Sequence, residues 1–478
     1  MKISQFDLLD SSSERDDLIE QIRQLNDNRT DYPRNKTIHQ VFQETADRSP
    51  NAVAVTQGDR SWTYRELDEG SNRIAHFLIA QHLPPDSVVT FLLDHTYDIC
   101  TTVLGILKAG LVYLPIDEGM PHQRVQYLLN DSQARVFVSW TRHLRLLNSL
   151  QWDCPCLERV ICLDADDFRD EIEPEGEKMR QDVWDYVGEE MFDDISGGGW
   201  KSSFTGDWLS RSVMDEYGQN ILTKLQPLLT PQTRVLEIGC SSGISMFRLA
   251  PLVGYYLGTD LSPTIMEKSE EERRRLGLDN VRLKAVPAHD VDTLDEAEFD
   301  IVIVNSVVQY FSGHNYLRSV LAQAIALMKP KGWLFLGNLF DRDLRDGFLE
   351  DLEQYERTHR DEEGHTKTDY SDELFINRAF LNDLRFDLPQ IADIEYSELL
   401  GHEASELREF TFDALMRIDR CPPGHAAGKR IKHQFGRSSI DTQSAAAVEA
   451  TGTAQGPAYI MYTSGTTGKP KGVMVPHR

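Results

Sequence analysis

The sequence is short of three things: long apolar runs, cysteines and basic residues. Its 478 residues contain no stretch of about 18 apolar residues, so we expect no membrane-spanning helix. The acidic first residues lack the apolar segment of a secretory signal peptide. Six cysteines are too few for a disulfide framework, and Cys154 and Cys156 have no second pair or histidine at zinc-ligand spacing. We therefore expect a reduced, cytoplasmic environment and no metal site.

The charge balance excludes two classes of partner. Lys and Arg number 50 against 77 Asp and Glu, which gives a formal net charge of −27 at pH 7. A nucleic-acid-binding protein needs a basic surface to meet phosphates, and so does a protein that binds an anionic membrane. We therefore expect neither nucleic acid nor membrane as a partner. The length alone predicts roughly three domains.

Two series of alternating strands and helices are predicted, with a strongly acidic stretch between them. Short apolar strands that alternate with helices are typical of α/β folds. In the first series, strands are predicted at 53–55, 62–64, 88–93, 111–116 and 135–139, and a helix at 104–109. In the second series, parallel strands of a separate doubly wound sheet are predicted at 235–238, 255–257 and 301–304. A linker rich in small residues is predicted for 421–455, and a last strand for 458–462.

A strand followed by a turn of small residues predicts a nucleoside-binding site in the second series. Residues 235–243 read Val-Leu-Glu-Ile-Gly-Cys-Ser-Ser-Gly, and a helix is predicted to start near Ile244. Small residues let a ligand approach the backbone, and a helix start offers free N–H groups. Asp260 closes the next strand about 20 residues later, where a carboxylate accepts both hydroxyls of a ribose. The same geometry suits NAD, so these residues alone leave the cofactor open.

The residues around this turn resemble class I S-adenosylmethionine-dependent methyltransferases. Residues 305–311, Asn-Ser-Val-Val-Gln-Tyr-Phe, and 200–206, Trp-Lys-Ser-Ser-Phe-Thr-Gly, are similar to the methyltransferase domains of nonribosomal peptide synthetases. The resemblance implies a Rossmann-like domain that binds S-adenosylmethionine. The family often has glycine where Ser241 stands, so the serine side chain is expected to crowd the cofactor. The implied cofactor contacts are Glu237, Gly239, Ser241, Gly243, Asp260, Asp290 and Asn305.

The implied reaction is an in-line attack on the sulfonium methyl group. The attacking atom must be a neutral amine or a deprotonated hydroxyl or thiol, so a base is expected nearby. The predicted catalytic residues are Asn305, Tyr310 and His289, with Asn305 near the methyl donor. Asp290 and His314 are further candidates for the base because they also follow predicted strands. A supporting or surface role is the alternative for each of these residues.

The most specific segment of the chain, residues 458–472, alternates hydroxyls and glycines after a strand and carries two lysines. Backbone N–H groups, hydroxyls and lysine charges together clamp a polyphosphate. It is not a Walker A loop, because Pro470 follows Lys469 and Thr463 stands where the first glycine belongs. The segment resembles the phosphate-binding core motif of the AMP-forming adenylation superfamily. The resemblance implies ATP phosphate contacts from Thr463, Ser464, Gly465, Thr466, Thr467, Gly468, Lys469 and Lys471.

The order of the motifs indicates an interrupted domain. Residues 62–67 and 107–117 resemble the first and second core motifs of synthetase adenylation domains, and the methyltransferase segments lie between the second motif and the third. The fold class is therefore α/β, with a Rossmann-like class I methyltransferase domain inserted into a partial α/β adenylation domain of the ANL type. The predicted domains are an N-terminal adenylation part (1–168), the methyltransferase (169–420), a flexible linker (421–455) and the resumed adenylation domain (456–478).

The resemblance also implies what acts with this chain. The later adenylation motifs, with the amino-acid pocket and the catalytic lysine of the lid, are absent, so we expect a C-terminally truncated fragment. ATP with Mg²⁺ is implied only for a complete adenylation domain. The implied partners are a carrier domain with phosphopantetheine and the remaining synthetase domains. Whether a small adenylation-activating protein also binds is left open by the sequence.

The implied function is methylation of a carrier-bound amino acid within a peptide synthetase. The methyl group goes to a side-chain oxygen or sulfur or to the backbone nitrogen, and the position of the insertion favours the side chain. Two alternatives stay open from the sequence: a stand-alone AMP-forming acyl or amino-acid ligase, and an inactive scaffold insertion.

Overall fold

The computed structural model describes residues 12–26, 32–359, 366–420, 429–449, 452–463 and 470–478. The strands are β1 (Val53–Gln57), β2 (Arg60–Thr63), β3 (Val88–Phe91), β4 (Val112–Pro115), β5 (Val136–Ser139), β6 (Arg159–Cys162), β7 (Arg234–Ile238), β8 (Tyr255–Asp260), β9 (Val281–Ala285), β10 (Phe299–Asn305), β11 (Met328–Phe340), β12 (Ile391–Ser397), β13 (Thr411–Asp419), β14 (His433–Phe435), β15 (Pro457–Thr463) and β16 (Lys471–Pro476).

The helices are α1 (Ser12–Leu25), α2 (Ile38–Arg48), α3 (Tyr64–Ala80), α4 (Tyr97–Lys108), α5 (His122–Ser132), α6 (Leu144–Asp153), α7 (Gln181–Glu189), α8 (Asp194–Gly197), α9 (Arg211–Leu225), α10 (Met246–Leu249), α11 (Pro263–Leu276), α12 (His314–Ala326), α13 (Arg345–Thr358), α14 (Arg378–Leu384), α15 (Glu406–Glu409) and α16 (Arg437–Asp441). Within the described part of the chain, no helix is long and apolar enough to cross a bilayer. β1 and β2 form a separate two-stranded antiparallel sheet.

The first of two seven-stranded sheets, here called the flanking sheet, joins parts of the chain that are far apart in sequence. Its strand order is β14-β6-β5-β3-β4-β15-β16. β15 pairs in parallel with β4, where the rings of Tyr459 and Tyr113 stack with their centroids 5.2 Å apart. β14 pairs in parallel with β6. Strands from before and after the central region therefore form one sheet, as an interrupted domain requires.

The second sheet, here called the central sheet, has the strand order β12-β13-β11-β10-β7-β8-β9. β7 pairs in parallel with β8 and with β10, which confirms the three parallel strands predicted for this region. β13 is antiparallel to both of its neighbours. Along β7, Val235 packs with Ile221 and Ile265 on one face, and Leu236 packs with Leu317 on the other. Both faces are covered, in keeping with the apolar residues Val235, Leu236 and Ile238 of this strand.

Part of the predicted flexible linker, 421–455, is instead ordered, which corrects that expectation for 433–441. β14 extends the flanking sheet, and α16 follows it directly. The ring of Phe435 meets that of Phe77 edge to face at 5.0 Å, and Ile440 is buried. These two apolar anchors hold a segment whose composition is otherwise typical of a linker. Residues 421–428 and 450–451 lie outside the described residues.

A buried contact joins the two sheets through the end of α6. Trp152 is 8% exposed and packs in the apolar cluster of the central sheet, with its ring centroid 5.4 Å from that of Phe380. The next residue, Asp153, accepts a hydrogen bond from the Arg342 guanidinium in a buried ion pair. A tryptophan of the flanking region is therefore part of the core of the central region.

We expect Trp152→Ala to destabilise the central sheet as well as the region that carries the tryptophan. Loss of a buried indole from a packed cluster lowers the free energy of unfolding by about 3–5 kcal/mol. Urea unfolding followed by circular dichroism measures this loss. Trp208→Ala is the matched control, because Trp208 is 43% exposed, and a change of about 0.5 kcal/mol is expected there. Equal effects of the two substitutions would contradict the contact.

Candidate functional site

A cleft opens at the carboxyl ends of the central strands β7, β8 and β10. It encloses about 970 Å³ of space, part of it open to solvent. From β7 the chain proceeds outward to β8 and β9, and then crosses back to β10 on the other side of β7. The cleft therefore lies where the strand order reverses, and this is where open α/β sheets bind their ligands.

The carboxylate of Asp260 joins the turn after β7 to the end of β8. One of its oxygens accepts a hydrogen bond from the backbone N–H of Ser241 at 3.1 Å, and the other accepts from Ser262 at 3.0 Å. Burial raises the pKa of Asp260, and the backbone donors oppose that rise. A carboxylate has about four lone-pair positions, so Asp260 keeps acceptor capacity towards the cleft that it lines. This is the geometry that a ribose-binding carboxylate requires.

The turn between β7 and α10 keeps its backbone open to the cleft although a serine stands at its centre. Ser241 has φ of +46°, a left-handed conformation that a residue with a side chain adopts less readily than glycine. Its hydroxyl donates a hydrogen bond to the carbonyl oxygen of Gly197 at 3.2 Å, which fixes the side chain. Gly239 has φ of +76°, and a Cβ there would come within 2.8 Å of Val307. Both residues line the cleft.

Glu237, at the carboxyl end of β7, is a second buried carboxyl group beside this turn. It is 2% exposed, and its Oε2 accepts a hydrogen bond from the Tyr256 hydroxyl at 2.8 Å. Burial raises the pKa of Glu237 to about 8, although the bond from Tyr256 acts in the opposite direction. A cationic group in the cleft would favour the ionised carboxylate.

Two of the predicted catalytic residues lie on the β10 side of the cleft. Asn305 ends β10, and its side-chain amide donates to the Tyr217 hydroxyl at 2.7 Å and to the Ser245 hydroxyl at 3.0 Å. The ring of Tyr310 meets that of Trp184 at 5.0 Å between centroids. Burial raises the pKa of Tyr310, so its phenol is neutral. These groups offer hydrogen bonds to a ligand, and none of them is ionised at neutral pH.

The third predicted catalytic residue, His289, lies on the β9 side of the cleft. Its Nδ1 is 2.9 Å from the Tyr316 hydroxyl oxygen. Asp290, predicted to contact the cofactor, is not part of the cleft lining, since its half-exposed carboxylate points to His289 Nε2 at 3.7 Å.

Gly243 and His314 also lie apart from the cleft lining. Gly243, with φ of +84°, supports the turn beside the ring of Phe247. His314 is buried with its ring 4.7 Å from that of Phe380, on the side that meets α6, and burial lowers the pKa of His314 to about 3. His314 is enclosed and lies outside the cleft lining, so its placement does not support a role as the base.

Sequence reasoning missed most of the aromatic side chains that enclose the cleft. We call these side chains the aromatic wall: Trp184, Trp200, Tyr217, Tyr310 and Tyr316. Three of them come from α7, α9 and α12, at no fixed spacing from the turn. Only the Trp and Tyr content of residues 184–217 hinted at an aromatic surface, and an aromatic residue in a helix is more often part of a core.

β15 and β16, on either side of most of the predicted phosphate contacts, pair antiparallel at the edge of the flanking sheet. Thr463 ends β15 and pairs with Lys471, which begins β16. The Tyr127 hydroxyl donates a hydrogen bond to the Pro470 carbonyl oxygen at 3.2 Å and ties the residue before β16 to α5. The other predicted contacts, Ser464, Gly465, Thr466, Thr467, Gly468 and Lys469, lie outside the described residues.

Two family models match this chain. The model of AMP-binding enzymes matches residues 42–207 and 413–478, and a methyltransferase-domain model matches residues 236–334. The first match is split around the second. The chain therefore carries an AMP-binding domain that is interrupted by a methyltransferase domain, as the order of the motifs predicts.

Curated relatives confirm the resemblance to nonribosomal peptide synthetases. Tyrocidine synthase 3 of Brevibacillus parabrevis is 40% identical over 142 residues, which cover 30% of this chain and 2% of that protein. Chondramide synthase cmdD of Chondromyces crocatus is 31% identical over 271 residues, which cover 53% of this chain and 7% of that protein. This chain thus spans a small fraction of the length of these relatives.

Among solved structures, the N-methyltransferase NodS from Bradyrhizobium japonicum WM9 in complex with S-adenosyl-L-homocysteine is 16% identical to this chain, with a TM-score of 0.34. The likeness covers 49% of this chain and 98% of that structure.

We expect Glu237 to make folding stability fall as the pH rises. Its pKa is about 8 in the folded protein, against 4.5 for the unperturbed group. Between these values the folded state holds a proton that the unfolded chain has lost, so stability decreases through this window and levels off above it. Glu237→Gln should flatten the dependence, and Glu350→Gln, at an exposed position, should leave it unchanged. Urea unfolding from about pH 5 to about pH 9 measures this, and equal slopes in all three proteins would refute the assignment.

Proposed function

We propose that the central region transfers a methyl group from S-adenosylmethionine to an amino acid held as a thioester on a phosphopantetheine carrier domain. The observation that carries this proposal is the cleft at the switch in strand order, where the buried Asp260 carboxylate lies against the turn after β7. The match of residues 236–334 to a methyltransferase domain supports it. The relatives named above support a place for this reaction within a larger synthetase.

The residues present fit this cofactor. The cofactor supplies an electrophilic methyl group on a positively charged sulfonium. Asp260 accepts the ribose hydroxyls, and the small residues of the turn let the nucleoside approach the backbone. Glu237, once ionised, favours the cationic end of the ligand, as do the π faces of the aromatic wall. The wall also excludes water from the reacting atoms.

The acceptor approaches from the β10 side, where Asn305 and Tyr310 orient the attacking atom. When the protein holds the attacking atom close to the methyl group in the reactive orientation, the entropic cost of reaching that geometry is already met. This is the main contribution of a protein to such a transfer. His289 lies on the β9 side beside Tyr316, so we assign it to the base of the nucleoside rather than to proton transfer. The attacking atom is a side-chain oxygen or sulfur, or the backbone nitrogen.

We further propose that the flanking sheet binds ATP with Mg²⁺ as part of a complete adenylation domain, through the segment between β15 and β16. The split family match supports this role. The domain bounds 1–168, 169–420 and 456–478 belong to this proposal, as does a small adenylation-activating partner. A cytoplasmic setting is supported by the free thiols of Cys100, Cys154, Cys156, Cys162 and Cys240.

We expect Asp260→Ala to weaken binding of S-adenosylhomocysteine by about 1–3 kcal/mol, because hydrogen bonds to a charged group are lost. Calorimetric titration measures the dissociation constant. Asp292→Ala, an exposed carboxylate after β9, is the matched control and should bind as the parent protein does. The same dissociation constant in Asp260→Ala and the parent would refute the ribose assignment.

We expect Lys469→Ala to leave methyl transfer unchanged, because this residue belongs to the segment joined to the flanking sheet. The rate of methyl incorporation from labelled S-adenosylmethionine measures the effect, with Asp260→Ala as the variant that should lose activity. A large loss in Lys469→Ala would show that the two regions act as one site.

A further inference from the structure

Two hydroxyl groups on the β10 side of the cleft form a pair to which the proposed transfer assigns no role. The oxygens of Tyr217 and Ser306 lie 2.7 Å apart, and both side chains line the cleft. Tyr217 belongs to α9, which precedes the central sheet, and Ser306 directly follows β10. The ring of Trp200 lies 4.8 Å from that of Tyr217 and covers it.

The hydrogen bonds of this pair leave one donor unused. The Tyr217 oxygen accepts an N–H from the side chain of Asn305 at 2.7 Å, and the Ser306 oxygen accepts one from Asn338 at 2.8 Å. Each hydroxyl carries a single proton, and the bond between the two hydroxyls uses only one of the two protons. The second O–H has no partner among the described residues and is free to point into the cleft.

The backbone around the pair is strained in a way that fixes its position. Ser306 has φ of +57° and Asn338 has φ of +52°, both in the left-handed region. The backbone N–H of Asn338 donates to Asp413 at 2.7 Å, and Asp413 is paired with Lys224 at 2.6 Å. Residues held in such conformations cluster at functional sites, where the surrounding structure enforces them. The contacts of Asn338 with Ser306 and with Asp413 therefore fix the position of the unused donor.

The position of the pair separates it from the nucleoside. Ser306, which directly follows β10, and Asn338 of β11 lie on one side of β7, and Asp260, which ends β8, lies on the other. A nucleoside at Asp260 leaves the β10 side of the cleft for the acceptor. Tyr217 stays neutral because burial raises the pKa of its phenol. The pair therefore suits an uncharged oxygen better than a charged group, since a neutral donor offers no charge compensation.

We propose that the Tyr217–Ser306 pair donates one hydrogen bond to the acyl carbonyl oxygen of the methyl acceptor and so selects a thioester-linked acyl group. This inference rests on the proposed function and deepens it. Tyr217 and Ser306 are then residues that determine specificity, and Asn338 positions them. Because either hydroxyl supplies the free proton when the other is removed, each single variant keeps a donor. Only the double variant lacks one.

The test compares two acceptors in four proteins. The acceptors are an S-aminoacyl N-acetylcysteamine thioester, chosen by screening the common amino acids, and the thioether in which CH₂ replaces the carbonyl. The proteins are the parent, Tyr217→Phe, Ser306→Gly and the double variant, and glycine is used at 306 because it accepts the left-handed backbone. Tyr186→Phe, at an exposed position on α7, is the control. The measured quantity is the ratio of kcat/KM for thioester over thioether.

We expect the double variant to lower this ratio by about three- to tenfold, the effect of one neutral hydrogen bond, with smaller changes in either single variant. In the S-adenosylhomocysteine complex, the preference in binding for the thioester over the thioether, measured as the ratio of their dissociation constants, should fall by a similar factor. An unchanged ratio in the double variant overturns the inference. Weaker S-adenosylhomocysteine binding in the double variant also overturns it, because the donor then belongs to the cofactor. Failure of the parent protein to bind S-adenosylhomocysteine would instead refute the proposed function.

Discussion

The parallel pairing of β7 with β8 on one side and β10 on the other is the constraint on which the site depends. It brings three carboxyl strand ends to one edge, so Glu237, Asp260 and Asn305 meet although they are far apart in the chain. The chain crosses from β9 to β10 on the other side of β7, and the cleft lies at this reversal of strand order. The turn of small residues after β7 lines part of the cleft. The β8 side and the β10 side of the cleft are then separated by a single strand.

The insertion is compatible with the flanking sheet because of where the chain leaves and returns. It leaves after β6 and comes back as β14, and these two strands pair with each other. Because this pairing is parallel, the chain leaves at the carboxyl end of β6 and re-enters at the amino end of β14. The two points are therefore about one strand spacing, roughly 4.8 Å, apart across the sheet and one short strand length apart along it. The later return as β15 beside β4 completes the sheet. Trp152 then ties the two regions together by packing into the core of the inserted one.

Buried polar groups shape the cleft at some cost in stability. Burial raises the pKa of Glu237 and of Asp260, and the left-handed backbone of Ser241 and Ser306 is less favourable than glycine would be there. Such features are retained where function needs groups held in one arrangement before the ligand arrives. All four of these residues line the cleft.

The sequence by itself determined the α/β class, the three inner strands of the central sheet, the turn after Ile238 with its companion Asp260, and the interruption of one domain by another. These follow from local patterns, because apolar runs, small residues and motif order are written along the chain. Only the tertiary structure decided that β14 joins the flanking sheet, that His314 is enclosed, and that Tyr217 meets Ser306. Those outcomes depend on contacts between residues distant in sequence, and no spacing along the chain encodes them.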